Sequence, residues 1–424
     1  MFTGSTRPAW YDAGTPLIPS LHQPALVAEH MAAHLDDHLD EHLDDPRAWQ
    51  AGGGMPACRT PPDAALAAWL AGSGLAPELF GPRPGLLSPA QWLALLARAE
   101  RSLAAPDTAF ELGRMLLPGH HGAASQALAQ AAHLGEALHL LQQHAARLSP
   151  LLTPRLVLAG PEAVLLWTDA VGLGAQRGFV VDLMMAAVVG MAQWLGGERL
   201  PWRLCFNRVA PRRIEQHQAY LGSALRFGCH VDAMILPREL LQRRWPAAGQ
   251  VGAAARRAAR HAADAETAAL PRSLLALLHE HLHQQLWPRG PASAHGNPMD
   301  EMSGLPGDGL NPAPAVPAPL PAPGQPCTLE HAAAALGTSP ATLKRRLAAE
   351  GTHFQAELDQ VRSHLALYLY RYRGADNAQV AQALGFADVP NFRRSFKRWT
   401  GLTPQSLRTG LISPGPAPWP AAAG

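Results

Sequence analysis

Apolar residues recur along this chain with two different periods. From residue 88 to 148 they return every three or four positions, as on the buried side of a helix, and Ser88-Pro89 has the form of a helix start. From 155 to 170 the period shortens to two, with Gly160-Pro161 between two strand-like runs, which predicts a β-hairpin. Because both periods occur within one stretch, we predict an α+β domain at 88–250.

Helical periodicity returns in 251–287, which we predict to be a helical extension. Leu275, Leu278 and Leu282 stand at heptad spacing there. Such a row of leucines either pairs with a second copy of the chain or packs on its own domain. The sequence leaves both alternatives open.

Three other segments lack a regular apolar period. Residues 1–87 combine scattered Pro and Gly with the repeat HLDDHLDEHLDD, and we predict a disordered or weakly ordered arm. Residues 288–326 form a Pro/Gly-rich stretch that includes seven prolines in the run NPAPAVPAPLPAPGQP, which predicts a semi-rigid linker. Residues 411–424 are expected to form a frayed tail.

The segment 327–410 contains one pattern twice. AAALGTSPATLKRRL and AQALGFADVPNFRRSF each have an Ala-rich helix, a turn marked by Gly337 or Gly385, and a second helix that opens with polar residues. Between them, 354–372 carries apolar residues at helical spacing and predicts one long helix. This is the layout of two helix-turn-helix units. The predicted fold class is therefore multidomain, an α+β N-terminal sensory domain followed by an all-α double helix-turn-helix domain.

Charge is distributed unevenly along the 424 residues, although the net charge is only +2. Residues 1–45 hold eight acidic side chains and one basic side chain, whereas 327–410 hold eleven basic and six acidic side chains. Both lysines of the chain, Lys344 and Lys397, lie in this basic segment. A basic C-terminal end favours a polyanionic partner such as DNA.

Aromatic residues divide the second of the two basic helices into faces. Phe392, Phe396 and Trp399 recur at i, i+4 and i+7 and are expected to face the core. Arg393 and Arg394 then point away from it. Arginine suits a DNA-reading face because its planar guanidinium can bridge O6 and N7 of guanine or bind phosphate.

The stretches SPATLKRRLAAEGTHFQAELDQVR and VAQALGFADVPNFRRSFKRWTGLTPQSLR closely resemble the DNA-binding domain of AraC/XylS-family transcriptional regulators. The resemblance implies two recognition helices, with Lys397 and Arg398 of the second helix meeting phosphates. By motif position, the other residues implied to contact DNA are Ser339, Ala341, Thr342, Lys344 and Arg345 in the first helix and Asp388, Pro390, Asn391, Arg393 and Arg394 in the second. Since Ala341 is small, the first helix is expected to read little more than a thymine methyl there.

The upstream domain has a resemblance of its own. FELGRMLLPGHHGAASQALAQAAHLGEALHLL and RVAPRRIEQHQAYLGSALRFG are similar to the arabinose-binding-like N-terminal domain of regulators related to ornithine-utilisation regulators. The resemblance implies a sensory or dimerising role for 88–250 and a small-molecule effector of unknown identity. The partners it implies are double-stranded promoter DNA, RNA polymerase if the chain is an activator, and a second copy if it dimerises.

The remaining motifs point to no cofactor and no metal. His30, His34, His38 and His42 have the i, i+4 spacing that can bind zinc or nickel, but they stand in a tandem repeat rich in carboxylates. The four cysteines include no CxxC pair, and no signal-peptide pattern or membrane span is predicted, so we expect a cytoplasmic protein.

Two other functional classes stay open beside an effector-controlled regulator. One is an enzyme fused to a DNA-binding module, although 88–250 contains no nucleophile turn and Cys205 and Cys229 stand in strand-like runs where burial is usual. The other is an accessory DNA-binding protein without an effector. We predict that the chain is not an enzyme.

Overall fold

The computed structural model describes residues 10–43, 62–71, 74–119, 122–246, 251–286 and 327–404. The predicted linker 288–326 and tail 411–424 lie outside these residues. Two large hydrophobic cores organise the described chain, one in the N-terminal α+β part and one in the C-terminal helical part.

The N-terminal part begins with short strands and helices and ends with a helix near residue 267. Its helices are α1 (Gln23–Leu43), α2 (Pro62–Leu70), α3 (Pro89–Leu103), α4 (Thr108–Leu116), α5 (Gly122–Ala129), α6 (Leu134–Gln143), α7 (Ala145–Leu148), α8 (Arg177–Gly196), α9 (Glu215–Leu221) and α10 (Ala253–Thr267). Its strands are β1 (Trp10–Tyr11), β2 (Ile18–Pro19), β3 (Leu86–Leu87), β4 (Leu152–Ala159), β5 (Glu162–Asp169), β6 (Arg203–Cys205), β7 (Leu225–Arg226) and β8 (Asp232–Pro237).

Five of these strands form one sheet in the order β4-β5-β8-β6-β7. Strands β4 and β5 pair antiparallel, with Leu152 opposite Asp169 and Ala159 opposite Glu162, which confirms the predicted hairpin. Because side chains alternate along a strand, Leu156 and Leu165 point into the N-terminal core, whereas Val157 and Val164 form a separate apolar cluster on the outer face. The outer face is the one that meets the C-terminal part of the chain.

Helix α8 is apolar on almost all sides because it runs through the middle of the N-terminal core. It is long and apolar enough to cross a membrane, but 67% of the relevant window is buried inside the protein, as in the core helix of a globular domain. Asp182 lies within it, and its carboxylate accepts a hydrogen bond from Arg208 and lies 3.3 Å from Nε2 of His217. These partners compensate the buried charge.

The N-terminal segment differs from the expectation of a disordered or weakly ordered arm. Where 1–87 is described, it contributes to the core: Tyr11, Met31 and Trp69 are buried, and β1 pairs in parallel with β9 (Arg272–Ser273). The prediction is therefore wrong for these stretches. Pro and Gly break the segment into short elements, each of which gains its stability from tertiary contacts rather than from its own periodicity.

Within its described residues, the C-terminal part contains six helices. They are α11 (Leu274–Leu286), α12 (Leu329–Ala335), α13 (Pro340–Ala349), α14 (Phe354–Tyr372), α15 (Asn377–Ala383) and α16 (Val389–Thr400). The long helix α14 has the bounds that the periodicity predicts. Gly337 and Gly385 have φ values of 63° and 75°, a left-handed conformation that suits glycine at the two turns. The fold class is confirmed, since an α+β domain precedes an all-α double helix-turn-helix domain.

The leucine row of α11 packs on the C-terminal helices, which is neither of the two alternatives that the sequence left open. Leu275, Leu278 and Leu282 are buried in the same core as Leu343 and Leu347 of α13 and as Leu365 of α14. Helix α11 is thus part of the C-terminal core instead of an extension of the α+β domain. Its leucines are covered by the C-terminal helices and are not exposed for pairing with a second copy.

Candidate nucleic-acid interface

The second helix-turn-helix exposes a polar face because its aromatic side chains anchor the opposite face. Phe392 and Phe396 of α16 are fully buried, and Trp399 is partly buried against the same core. The ring centroid of Phe396 lies 5.6 Å from that of Phe392 and 5.9 Å from that of Tyr370 on α14. All residues implied by resemblance to contact DNA from this helix are exposed, namely Asp388, Pro390, Asn391, Arg393, Arg394, Lys397 and Arg398.

A chain of hydrogen bonds runs along the exposed start of α16. Asp388 is the N-cap, and its carboxylate accepts from the backbone N–H of Asn391 at 2.6 Å and from the Asn391 amide group at 2.6 Å. The Asn391 side-chain oxygen in turn accepts a hydrogen bond from Arg394. Because each side chain orients the next one, the Arg394 guanidinium is held on the outer surface of the helix.

The remaining cations of α16 differ in their surroundings. Arg398 forms an ion pair with Asp359 of α14, with 3.0 Å between nitrogen and oxygen. Arg393 and Lys397 have no hydrogen-bond or ion-pair partner among the residues that the structure describes. Unpaired exposed cations of this kind are free to meet phosphate.

The first recognition helix, α13, exposes fewer of the residues that the resemblance implies to contact DNA. Ser339 is its N-cap and accepts from the backbone N–H of Thr342 at 3.1 Å, so its hydroxyl already has a structural role. Ala341, Lys344 and Arg345 are exposed, and Thr342 is partly exposed. Within the described part of the chain, both basic residues lack a hydrogen-bond or ion-pair partner. Base contacts by either helix stay a prediction.

Helix α13 is also attached to the N-terminal domain through its last turn. Glu350, the C-cap residue, is 7% exposed, and its carboxylate accepts from the backbone N–H of Ala13 at 2.9 Å and of Gly172 at 2.6 Å. A Cβ on Gly172 would lie 2.0 Å from the backbone oxygen of Glu350. The two chain segments can therefore approach this closely only because residue 172 is glycine.

Two further contacts join the halves of the molecule. Arg346 on α13 forms an ion pair with Asp12 at 2.6 Å and lies over the ring of Trp10 at 5.5 Å. At the far end of α14, Arg371 and the hydroxyl of Tyr372 both donate to Glu162 of β5, at 3.0 and 2.8 Å. The hydrogen bonds and cations lower the pKa of Glu162 against the opposing effect of burial. The C-terminal helical part is thus held at both ends.

Three histidines, one buried and two partly buried, lie between these two attachment points. Nε2 of His279 on α11 lies 2.6 Å from the carboxylate of Glu357 on α14, and the hydroxyl of Thr352 also donates to Glu357. Burial lowers the pKa of His364 to about 3, helped by the nearby charges of His279, Arg155 and Arg177 and opposed by Glu357. Burial and the charge of Arg155 likewise hold the pKa of His283 well below 6.5. Both imidazoles are neutral in the folded protein near pH 7.

This arrangement predicts a loss of stability in mild acid. His364 takes up a proton near pH 6.5 when the chain is unfolded and only near pH 3 when it is folded. The contribution of the neutral imidazole to stability is therefore complete above pH 6.5 and is lost as the pH falls from 6.5 towards 3. We expect protonation of this group to lower the free energy of unfolding by up to about 1.4 kcal/mol for each unit of decrease in pH. Urea denaturation of wild type and His364→Gln at pH 7 and pH 5.5 measures it.

The control for this experiment is His261→Gln, which changes an exposed histidine of α10. The difference in stability between pH 7 and pH 5.5 should shrink in the His364 variant and stay at the wild-type value in the control. Equal pH dependence in all three proteins contradicts the assignment of a neutral buried imidazole at position 364.

Comparison with known proteins agrees with this two-part architecture. Residues 64–245 match the family model described as the arabinose-binding domain of AraC transcription regulator, N-terminal, and 332–410 match a helix-turn-helix domain model. The second match contains both recognition helices, and the first contains the whole five-stranded sheet. The chain is an AraC-type transcriptional regulator.

Two relatives of this AraC-type regulator illustrate the extent of the similarity. The ornithine utilization regulator of Pseudomonas aeruginosa is 27% identical over 337 residues, which cover 78% of this chain and 87% of the relative. An uncharacterized HTH-type transcriptional regulator of Mycobacterium tuberculosis is 44% identical over 77 residues, which cover 18% of this chain and 22% of that protein. The similarity therefore extends through both domains in the first relative. In the second relative it spans under a quarter of the protein's length.

Some residues at the contact between the two halves of the regulator were not apparent in the sequence. Glu350, Gly172 and Arg155 belong to segments that are far apart in the chain, and no local pattern connects them. The histidine repeat at the N-terminus is partly described: the side chains of His38 and His42 lie outside the described residues. Among the described residues there is no cluster of three or more metal-ligating side chains.

Proposed function

We propose that this regulator binds promoter DNA through α13 and α16 and that a small-molecule effector, held by the N-terminal part, changes how the two helices are presented. The family is not an enzyme class, and we propose no catalytic role. The proposed setting is the cytoplasm, with RNA polymerase as the partner if the regulator activates. Dimerisation, if it occurs, uses a surface other than the leucine row of α11.

The observation that carries this proposal is the docking of α13 on the N-terminal domain. Glu350 terminates the first recognition helix and accepts two backbone hydrogen bonds from that domain. Charge-assisted hydrogen bonds of this kind contribute about 1.5–3 kcal/mol each, so the position of α13 depends on the state of the N-terminal part. An effector acts only if its affinity differs between two states of the protein, and this contact offers a docked and a released state.

The experiment that tests the DNA-binding proposal is selection of bound sequences from random duplex DNA, followed by a salt titration on the selected site. The full chain is required because α11 belongs to the C-terminal core and a fragment that begins after it would lack part of that core. We expect one motif with two half-sites about one helical turn apart and an affinity that falls steeply with salt. Binding without any enriched motif contradicts sequence recognition.

Arg394 is expected to read a base because Asn391 orients its guanidinium. Replacing Arg394 with alanine should weaken binding to the selected site by roughly 5- to 150-fold, the equivalent of about 1–3 kcal/mol, and should flatten the preference at one base pair. Affinities for a panel of single-base variants of the site measure both effects.

Lys397→Ala provides the comparison for Arg394→Ala. It should weaken binding to all sequences alike and reduce the slope of log affinity against log salt by about one, as expected for a phosphate contact. If Arg394→Ala also weakens binding uniformly over the panel, Arg394 contacts the backbone and does not read a base.

A further inference from the structure

A cavity of about 450 Å³ lies between the outer face of the sheet and helices α11 and α14. This volume is in the range of small-molecule sites in proteins. Its walls come from both halves of the chain, with Val164 and Leu166 of β5 on one side and His283 of α11 and Tyr368 of α14 on the other. A molecule bound here would touch both domains at once.

One wall of the cavity is apolar. Val157, Val164 and Ala233 are buried on the outer face of the sheet, and Tyr368 and Tyr372 of α14 pack against the same cluster. Leu166 and Ile235 extend this surface along the neighbouring strands. The apolar wall therefore suits a hydrocarbon or aromatic group.

The same face of the sheet carries a cation directly beside Leu166, and no counter-charge is in contact with it. Arg155 of β4 lines the cavity, is partly buried, and has no hydrogen-bond or ion-pair partner among the described residues. Glu280 is the acidic residue of the lining, and it is already paired with Arg272 at 2.6 Å. Burial lowers the pKa of Arg155 to about 10, and the charge of Glu280 acts in the opposite direction. A buried cation that lacks a partner is costly, and an anion within the cavity would remove that cost.

Three histidines add polar groups to the lining of the cavity. His279, His283 and His364 line the cavity, and the charge of Arg155 acts on both His283 and His364. His279 is engaged by Glu357, whereas His283 and His364 are neutral near pH 7 and can each donate a hydrogen bond to a carboxylate. Arg155 offers a planar fork that matches a carboxylate in two-point contact.

We propose that this interdomain cavity binds a compact monocarboxylate with an apolar body, the carboxylate on Arg155 and the apolar body against the outer face of the sheet and Tyr368. The proposal rests on the proposed control by an effector and specifies its site and chemical class. Since the ligand contacts β4, α11 and α14, it binds the docked arrangement more tightly than a separated one. It thereby stabilises the attachment of α13 through Glu350.

The test uses the full chain and a panel of octanoate, phenylacetate and 4-methylpentanoate, each beside its primary amide. Isothermal titration calorimetry and thermal unfolding should show saturable binding of at least one carboxylate, and at least tenfold weaker binding of the matching amide. Arg155→Met should weaken carboxylate binding by at least tenfold, and Leu166→Trp should do the same by filling the space beside Arg155. Arg243→Met, which changes an exposed arginine paired with Glu198 outside the cavity, should bind as wild type does.

Several outcomes would overturn the proposal. Unliganded melting temperatures identify a variant that fails to fold, and Leu166→Trp keeps the test valid if Arg155→Met does fail. If both variants still bind the carboxylates, the site lies elsewhere. If inorganic phosphate binds as tightly as the carboxylates, the site does not require an apolar body in its ligand. Absence of carboxylate binding in a protein that still recognises its selected DNA site overturns the cavity assignment alone, whereas loss of sequence-specific DNA binding overturns the proposed function.

Discussion

Phe396→Ala is expected to destabilise the DNA-binding domain by about 3–5 kcal/mol and to abolish sequence-specific DNA binding. The ring is fully buried at the centre of the C-terminal core, where it contacts Tyr370, Phe392 and Trp399. Truncation leaves a cavity beneath α16, and the exposed face of that helix loses its anchor. Hydrogen exchange resolved by peptide, combined with DNA-binding titrations, measures both effects.

Trp194→Ala is the matched control for this truncation. It also removes a large aromatic side chain from a helix, but Trp194 is 69% exposed, so a change within about 0.5 kcal/mol is expected. Faster exchange in Phe396→Ala should be confined to α11–α16. A loss below about 1 kcal/mol with wild-type DNA affinity would show that α16 is not held by its aromatic face.

Gly172→Ala is expected to separate the first recognition helix from the N-terminal domain. The new methyl group would lie 2.0 Å from the backbone oxygen of Glu350, far inside contact distance, and the obstructing atom belongs to the backbone. Either the contact opens or the helix end moves, and in both cases the hydrogen bonds from Ala13 and Gly172 to Glu350 are lost. Since such bonds contribute about 1.5–3 kcal/mol each, we expect one cooperative thermal transition to split into two.

Gly252→Ala is the control for this substitution because Gly252 is exposed, has φ −62° and ψ 148°, and has no atom within 4 Å of an added Cβ. It should melt as wild type does. Glu350→Gln tests the same contact from the other side by keeping the shape and removing the charge. If Gly172→Ala retains a single transition at the wild-type temperature, the docking of α13 contributes little to the coupling of the domains.

Periodicity within a single element was a good guide to this protein. The bounds of α14, the β4–β5 hairpin, the capped start of α3 and the buried aromatic face of α16 all follow from residues close in sequence. In each case the repeat of the apolar positions equals the repeat of the element, so local pattern and tertiary burial agree. The exposure of the proposed DNA-contacting residues follows from the same argument.

The spacing of apolar residues did not predict burial where that burial depends on residues distant in sequence. Met31 and Trp69 stand in a segment that composition alone assigns to a weakly ordered arm, yet both are buried in the N-terminal core. The leucines of α11 show a regular spacing, but spacing does not state which surface covers them. Short elements and single apolar faces take their environment from the rest of the fold.

By itself the sequence determined that this protein has an α+β domain followed by two helix-turn-helix units with basic recognition helices, because helix and strand periods, turn glycines and caps are local properties. Only the tertiary structure decided that α11 joins the C-terminal core, that Glu350 attaches α13 to Gly172, and that Arg155 faces a cavity between the domains. These contacts join residues up to 337 positions apart. Their formation depends on how two independently patterned domains pack, and no local pattern encodes that packing.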